Sequence, residues 1–285
     1  MILLICAILT ANLADDSVSS ENKSSFSRIY GGRFTSRSEV PYVARMVARY
    51  HAGYYQACGA SLIGSKWVLT AAHCVDTHQP QNIWVVLGDV IDGKLEGREQ
   101  SMQVSRFIIH PNYSKESLIS DIALIELKKE VNLNDPTHVQ IVRLPPKGMM
   151  LPLGSTNCQV SGWGLTESGD TAYLKAVNET ITVSNPFDNN CKTYWNHPDS
   201  FCGGWQLGRS FCSGDSGGPL VCDVEGNLIQ FGVVSRSYEC GGTSPDIYVS
   251  TSYYRDWIDQ YIGSSNIPLD NSKQFWCNYY KCDNK

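Results

Sequence analysis

Short apolar runs separated by turn residues fill the sequence from Gly31 onward, and they restrict the fold more than any other feature. Each run has the length of a single strand and is rich in β-branched or aromatic residues, which favours strands over helices. The segment VEGNL, between two such runs, predicts a hairpin turn. The runs are ASLI, WVLTA, NIWVVLG, QVSRFII, DIALIEL, CQVSGWG, AVNETITV, PLVCDV, IQFGVVS and DIYVST. The sequence therefore predicts an all-β body built as barrels.

One segment near the C terminus has the period of a helix instead. In SYYRDWIDQYIG the apolar side chains fall at i, i+3, i+4, i+7 and i+8, and Gly263 is placed to end the helix. A second short helix is expected after Pro186, in PFDNNCKTYW. The apolar positions of the first helix are Tyr254, Trp257, Ile258, Tyr261 and Ile262.

The N-terminal stretch and the cysteine content predict the compartment. Residues 1–14, MILLICAILTANLA, are apolar, end in small residues and are too short to span a bilayer, which is typical of a signal peptide. The chain is therefore expected to be secreted and extracellular, where cysteines form disulfides. It has eleven cysteines, and removal of Cys6 with the signal leaves an even number to pair.

Charge excludes two classes of partner. The 285 residues carry a formal net charge of −5, spread along the chain without a basic stripe. This balance argues against binding to nucleic acid or to an anionic membrane. No later stretch is apolar enough to predict a membrane span.

Residues 15–28, DDSVSSENKSSFSR, form a polar, serine-rich segment that ends at Arg28, directly before IYGG. Such a segment is expected to be disordered and open to proteolysis. A cut after Arg28 would separate this segment from the rest of the chain.

One serine, Ser216, lies among glycines in SFCSGDSGGPLVC. Either a tight turn held by disulfides or a nucleophile that needs bare backbone amides would explain why the residues around it have such small side chains.

The order of the candidate catalytic residues restricts the fold. GDSGG also fits the G-x-S-x-G turn of α/β-hydrolases, but that fold needs a histidine after the serine. All six histidines precede Ser216: His51, His73, His78, His110, His138 and His197. A subtilisin order needs an aspartate before the histidine, and only Asp15 and Asp16 precede His73. The order that remains is His, Asp, Ser.

Four blocks carry a resemblance to a known family, and three of them contain the histidine, the aspartate and the serine in this order. LTAAHC (69–74), DIALI (121–125), GDSGGP (214–219) and IYGG (29–32) closely resemble the chymotrypsin/trypsin family of serine endopeptidases. The resemblance covers residues 29–262 and implies two six-stranded antiparallel β-barrels, the second starting near residue 140, with the active site between them. The resemblance also implies that residues 15–28 are an activation propeptide, cut after Arg28, and that residues 263–285 are a C-terminal extension.

The resemblance assigns catalytic roles by motif. His73 resembles the general base, Asp121 the buried aspartate that orients it, and Ser216 the acylated nucleophile. The backbone amides of Gly214 and Ser216 would form the oxyanion hole. After cleavage, the new amine of Ile29 would pair with Asp215 and order the loop that carries the nucleophile. Tyr30 departs from the valine usual in the family.

The resemblance also implies four disulfides, Cys58–Cys74, Cys158–Cys222, Cys191–Cys202 and Cys212–Cys240. Two cysteines of the extension, Cys277 and Cys282, fall outside the usual pattern. Their pairing with each other is the simplest interpretation, and an intermolecular bridge is the alternative.

The expected substrate pocket mixes features of different family members. Ser210, six residues before the nucleophile, resembles chymotrypsin-like members rather than trypsin-like ones. Asp246, at the other position of the pocket floor, can face a lysine or arginine, or else lies away from substrate. Ser235, Arg236 and Ser237 line the pocket mouth, where the family usually has Trp-Gly after the serine. We therefore expect mixed preference between basic and large apolar side chains.

Two weaker patterns remain. LGDVIDGKLEGREQ (87–100) resembles the calcium loop of trypsins, so Asp89, Glu96 and Glu99 are candidate calcium ligands, with a solvated acidic loop as the alternative. Catalysis needs no cofactor. Asn112 and Asn178 begin glycosylation sequons.

The sequence as a whole predicts a secreted serine endopeptidase, made as a zymogen and most simply a monomer. Its expected partners are protein or peptide substrates, an activating trypsin-like protease and protein inhibitors. The alternative is a catalytically silent homologue that acts as a binding or regulatory protein. The aromatic tail FWCNYYKC is a further candidate docking element.

Overall fold

The computed structural model of the chain describes residues 29, 31–50, 53–149, 151, 157–166, 173–179, 191, 197–204 and 207–263. The predicted signal peptide, the activation segment, Tyr30, the C-terminal tail and nearly all of the second short helix lie outside these residues. Within the described residues, no helix is both long and apolar enough to cross a membrane.

The first half of the described chain forms a closed six-stranded barrel with the strand order β2-β3-β4-β7-β6-β5. Every neighbouring pair is antiparallel, and pairing of β2 with β5 closes the barrel. Its strands are β2 (Val43–Tyr50), β3 (Gly53–Gly64), β4 (Trp67–Thr70), β5 (Ile83–Leu87), β6 (Gln100–Ile109) and β7 (Ala123–Leu127).

The second half forms an antiparallel sheet of seven strands in the order β1-β9-β8-β11-β12-β13-β10. The two-residue strand β1 comes from the start of the domain and pairs with β9 at the sheet edge. The strands are β1 (Arg33–Phe34), β8 (Cys158–Gly162), β9 (Lys175–Glu179), β10 (Ser200–Gly204), β11 (Pro219–Val224), β12 (Asn227–Arg236) and β13 (Pro245–Ser250).

The short apolar runs become strands because their side chains fill these two cores. Leu62, Leu69 and Leu124 lie fully buried inside the first barrel, whereas Val160, Leu220 and Val234 are fully buried in the second sheet. The predicted all-β class is confirmed, and the pair of antiparallel units is that of the expected double-barrel fold. The predicted hairpin turn is also confirmed, since Glu225 (φ 51°) and Gly226 (φ 80°) connect β11 to β12.

The predicted C-terminal helix is present as α1 (Arg255–Ile262), ended by Gly263. The buried side chains Trp257, Ile258 and Ile262 belong to the core cluster of the first barrel, although the helix follows the last strand of the second sheet. The His110 ring contacts Trp257 edge-on at 5.0 Å. The helix therefore brings the chain back against the loop between β6 and β7.

Four disulfides join the pairs that the resemblance implied: Cys58–Cys74, Cys158–Cys222, Cys191–Cys202 and Cys212–Cys240. The first ties β3 to the short 3₁₀ turn Ala72–Cys74, which carries His73. The second crosslinks the adjacent strands β8 and β11. Cys277 and Cys282 are outside the described residues.

Candidate active site

His73 and Asp121 lie together at the edge of the first barrel. His73 Nδ1 is 2.7 Å from Asp121 Oδ2, and the His73 backbone N–H donates to Asp121 Oδ1 at 2.9 Å. The His73 side chain is 26% exposed, whereas the Asp121 side chain is fully buried. The carboxylate thus fixes the orientation of an imidazole that is open to the cleft on its other side.

Ser235 contributes a third bond to the same carboxylate. Its hydroxyl donates to Asp121 Oδ2 at 2.7 Å. Because Ser235 lies on β12 of the second sheet, Asp121 is held from both halves of the molecule. The sequence placed Ser235 only at the pocket mouth, and no local motif indicates this contact.

The loop that carries Ser216 packs tightly against the first barrel. The Ser216 carbonyl oxygen accepts a hydrogen bond from the Gly59 N–H at 2.8 Å. Gly217 has φ 80°, and a Cβ there would clash with the Thr70 hydroxyl and the Gly59 carbonyl oxygen. The glycine is therefore required by both its backbone conformation and the close approach of the two halves.

This packing brings Ser216 beside the histidine turn. Cys74 Sγ lies 3.8 Å from His73 Nε2 and 3.5 Å from the Ser216 carbonyl oxygen. Gly214, next to the serine loop's aspartate, has φ 99°. The structure thus brings the Ser216 backbone beside the turn that carries His73, at the junction of the two halves. The catalytic roles assigned to His73, Asp121 and Ser216 from their motifs stay predictions.

Asp215 is completely buried in the second half, and two backbone amides bind its carboxyl group. The Gly164 N–H donates to Oδ1 at 2.8 Å and the Cys212 N–H donates to Oδ2 at 3.0 Å. Burial raises the pKa of Asp215 to about 7, against the lowering effect of these two bonds. A Cβ at Gly162 or Gly164 would clash with this carboxyl group, so the glycines of SGWG make room for it.

The start of the domain lies in the same region. Ile29 is 1% exposed and belongs to the core cluster of the second sheet, together with Phe211. A Cβ at Gly31, which has φ 68°, would clash with the Gly208 carbonyl oxygen. The segment that begins at Ile29 is therefore packed against the chain that leads to Asp215.

Two residues of the predicted pocket floor are buried in different ways. The Ser210 hydroxyl accepts a hydrogen bond from the Gly241 N–H at 2.6 Å, which links the two chain segments joined by Cys212–Cys240. Asp246 on β13 is 1% exposed, and neither of its carboxyl oxygens has a well-formed hydrogen bond. Burial raises the pKa of Asp246 well above its usual value, although the nearby Ser237 hydroxyl and Phe211 amide oppose this shift.

The predicted mouth residues follow β12. The Arg236 guanidinium donates to the carbonyl oxygens of Ser117 at 3.2 Å and Leu118 at 3.3 Å. Burial lowers the pKa of Arg236. The Ser237 hydroxyl donates to the Glu239 carbonyl oxygen at 3.2 Å. Arg236 thus bridges the substrate side of the second sheet and the loop that precedes Asp121.

The predicted calcium ligands lie together, and hydrogen bonds or ion pairs engage oxygens of all three, although the buried Asp89 Oδ1 has no hydrogen-bond partner among the described residues. Asp89, Glu96 and Glu99 place one oxygen each within 4.8 Å of one another. Both oxygens of Glu99 accept backbone N–H groups of its own loop, from Glu96, Gly97 and Arg98.

Two arginines provide positive charge at this cluster. Arg45 Nη2 is 2.5 Å from Asp89 Oδ2, and the same guanidinium also pairs with Asp92. Arg37 Nη2 is 2.5 Å from Glu96 Oε2. These residues do not fit a calcium site well, because guanidinium groups already compensate the carboxylates that the ion would need.

We expect calcium removal to leave the melting temperature unchanged and Arg45→Met to lower stability. Loss of Arg45 leaves the buried Asp89 without its cation, which typically costs about 3–5 kcal/mol. The measurement is thermal unfolding with and without EDTA. Arg33→Met, at an exposed pair with Glu39, is the matched control and should cost about 1 kcal/mol or less. A clear fall in melting temperature of the parent protein with EDTA would contradict this account.

The two sequons that fall within the described residues are both on the surface. Asn112 is exposed in the loop between β6 and β7, and Asn178 is exposed on β9. Glycosylation at these residues stays a prediction.

A closed antiparallel barrel and a second antiparallel sheet, with a His–Asp pair and a glycine-flanked serine at their junction, define the class of chymotrypsin-like serine proteases. The family model described as Trypsin matches residues 29–258, and the chain belongs to this family.

The chain is also similar to curated members of the elastase group. It is 33% identical over 251 residues to chymotrypsin-like elastase family member 1 of Bos taurus, covering 84% of this chain and 91% of the relative. The corresponding proteins of Canis lupus familiaris and Homo sapiens are each 34% identical, covering 84% of this chain and 93% of the relative.

Proposed function

We propose that the chain is a secreted serine endopeptidase that hydrolyses peptide bonds through an acyl-enzyme on Ser216 and is activated by cleavage after Arg28. The observation that carries the proposal is the His73–Asp121 pair, held from both halves and placed beside the Ser216 loop. An imidazole oriented by a buried carboxylate, near a glycine-lined loop that carries a serine, is the arrangement that acyl transfer needs.

The reaction follows from these groups. The Ser216 hydroxyl attacks the substrate carbonyl carbon while His73 Nε2 takes its proton, and buried Asp121 stabilises the imidazolium that forms. The amides of Gly214 and Ser216 bind the resulting oxyanion. His73 then gives the proton to the leaving amine, which yields the acyl-enzyme. A water molecule, deprotonated by His73, releases the acid and restores the serine.

Activation uses the buried carboxyl group of Asp215. Among the described residues of the uncut chain, this group has two amide donors, and its pKa of about 7 reflects the cost of burying charge. A cut after Arg28 creates a charged amine on Ile29, whose side chain is already in the adjacent core. The ion pair between them favours the charged carboxylate and raises the pKa of the Ile29 amine. The stabilisation that the charged amine contributes is therefore lost as pH rises through this raised pKa.

The substrate pocket accepts both basic and large apolar side chains, and Asp246 is the residue that favours the basic ones. A buried carboxyl group without a well-formed hydrogen bond gains most from an entering guanidinium or ammonium. Because burial raises the pKa of Asp246, its charge is present above that pKa and absent below it. Preference for arginine and lysine should therefore increase as pH rises.

We expect Asp246→Gly to lower cleavage after arginine and lysine selectively. Loss of one partner of a buried charge pair typically costs about 2 kcal/mol or more, which is about a 30-fold fall in the ratio of kcat/KM for basic against aromatic substrates. The measurement is a peptide-library cleavage profile of the cut enzyme at two pH values. Equal loss on all substrates would exclude a specificity role for Asp246.

The proposal includes the environment and the partners. Processing of residues 1–14 would deliver the protein to the extracellular space, where a trypsin-like protease cuts it and protein inhibitors regulate it. It would act as a monomer, without nucleic acid, membrane or cofactor.

A direct test is hydrolysis of casein by the purified protein before and after brief treatment with immobilised trypsin. The proposal expects activity only after treatment, and modification by a fluorophosphonate at Ser216 in the parent but not in His73→Ala. A cut protein that neither hydrolyses casein nor reacts with the reagent would be a silent homologue instead.

A further inference from the structure

A second buried carboxylate, Asp199, lies close to the proposed active site but is not part of it. It directly precedes β10, its side chain is fully buried, and its own carbonyl oxygen accepts the Ser250 N–H at 2.8 Å. This backbone bond ties it to the end of β13. The backbone of Asp199 is therefore held in place by the second sheet.

All contacts of this carboxylate are short. Oδ2 accepts the Ser120 backbone N–H at 2.8 Å and the Tyr254 hydroxyl at 2.7 Å. Oδ1 accepts the Ser200 hydroxyl at 2.8 Å, and His197 Nδ1 lies 2.7 Å from it. A carboxylate with this many partners has a single orientation.

The bond to Ser120 matters because Ser120 is the residue before Asp121. Ser120 has φ 52° and Leu118 has φ 53°, in the left-handed region that residues other than glycine rarely adopt. Two such residues within three positions make the entry to Asp121 strained, and the strain persists only where surrounding contacts hold it. The Ser120 carbonyl oxygen also accepts the Ile122 N–H at 2.8 Å, which closes a tight turn around Asp121.

The contacts that tie this entry to the rest of the fold come from the second half of the molecule, whereas the Leu118 N–H bonds within its own loop, to the Ser114 carbonyl oxygen at 2.7 Å. The Tyr254 hydroxyl lies 2.8 Å from the Ser120 hydroxyl oxygen, and Arg236 binds the carbonyl oxygens of Ser117 and Leu118. The bond from Asp199 fixes the peptide group between Ile119 and Ser120, one position before the peptide that leads into Asp121. The orientation of this peptide sets φ of Ser120, and with it the direction in which the chain enters Asp121.

We propose that Asp199 is a positioning residue for Asp121: it binds the Ser120 amide, holds the strained entry to Asp121, and so aligns the Asp121 carboxylate with His73. This inference rests on the proposed function. Asp199 touches neither substrate nor the reacting atoms, and it acts through the backbone of Ser120. The hydrogen bond to that amide is what the role needs, more than the negative charge.

The test compares Asp199→Ala, Asp199→Asn and Asp199→Glu in the full chain cut after Arg28. Misplaced catalytic groups typically lose large factors in rate, so Asp199→Ala should lower kcat by about tenfold or more, with little change in KM. Asp199→Asn should recover most of this loss, because its amide oxygen can still accept the Ser120 N–H. Asp199→Glu keeps the charge but moves the oxygens, so it should be slower than Asp199→Asn.

A spectroscopic measurement separates positioning from a general loss of stability. The proton between His73 Nδ1 and Asp121 gives a downfield ¹H NMR resonance, which should shift or disappear in Asp199→Ala below its unfolding temperature. Asp223→Ala is the matched control, since Asp223 also binds a backbone amide, that of Gly226 at 2.7 Å, in the hairpin turn. The control should keep kcat within about twofold, as is usual for surface changes.

The inference is overturned if Asp199→Ala keeps the parent kcat and the parent resonance. If Asp199→Ala does not fold, the order of the other two variants decides, and faster turnover by Asp199→Glu than by Asp199→Asn overturns it. A cut parent that hydrolyses nothing would instead overturn the proposed function, so the two failures are distinguishable.

Discussion

Replacing Ser216 with alanine should lower kcat/KM by about 10⁶-fold, and His73→Ala alone should cost about as much. The two residues act as one unit, because the hydroxyl is a poor nucleophile without the base and the base has no proton to take without the hydroxyl. The double variant should therefore be no slower than either single one. The measurement is hydrolysis of a chromogenic peptide by each variant after a cut at Arg28 confirmed by N-terminal sequencing.

The control for this comparison is Ser213→Ala. Ser213 is a serine in the same loop, and its backbone carbonyl oxygen accepts the Leu165 N–H, a bond that the substitution leaves in place. It should keep activity within about twofold, because its side chain takes no part in the proposed proton transfer or in the oxyanion hole. Additive losses in the double variant would contradict the idea that His73 and Ser216 share one proton transfer.

Arg28→Gln should abolish activation by trypsin. Without the cut, Ile29 has no charged amine, and the buried carboxyl group of Asp215 keeps the two amide donors that the described residues provide. Since an amine and a carboxylate that pair in a buried site form strong charge-assisted hydrogen bonds, their absence leaves the oxyanion-hole loop without its main support. The measurement is peptidase activity as a function of time with immobilised trypsin.

Two variants serve as controls for Arg28→Gln. Arg28→Lys keeps a site that trypsin recognises and should activate like the parent. Arg33→Gln removes another arginine near the start of the domain, paired on the surface with Glu39, and should also activate normally. Full activity of Arg28→Gln after trypsin treatment would refute activation at this bond.

Most strands and the catalytic motifs could be predicted from the sequence because each depends on a pattern of neighbouring residues. Runs such as WVLTA and DIALIEL appear as β4 and β7, and the helix signal around Trp257 appears as α1. Three strands were not predicted. The strand β1 has only two residues, which is too short to show a period. In β2, Arg45 and Arg49 interrupt the apolar pattern, and the buried Arg45 is compensated by ion pairs with Asp89 and Asp92. In β10, paired glycines weaken the strand signal.

The contacts that support the site were not predictable because they join residues far apart in the chain. Ser235 binds Asp121 from the opposite sheet, and Asp199 reaches Ser120 across the same junction. No spacing rule connects such pairs, since they meet only when both halves are folded. The arginines beside Asp89 and Glu96 were missed for the same reason, and they change the interpretation of the acidic loop.

The central claim is that Ser216 becomes acylated with His73 as its base, and pre-steady-state hydrolysis of a p-nitrophenyl ester by the cut protein tests it most directly. The account predicts a burst of about one equivalent of nitrophenol per active site, with the acyl group found on Ser216 by mass spectrometry. Protein that is fully cut after Arg28 but gives no burst, or carries the acyl group on another residue, would contradict it.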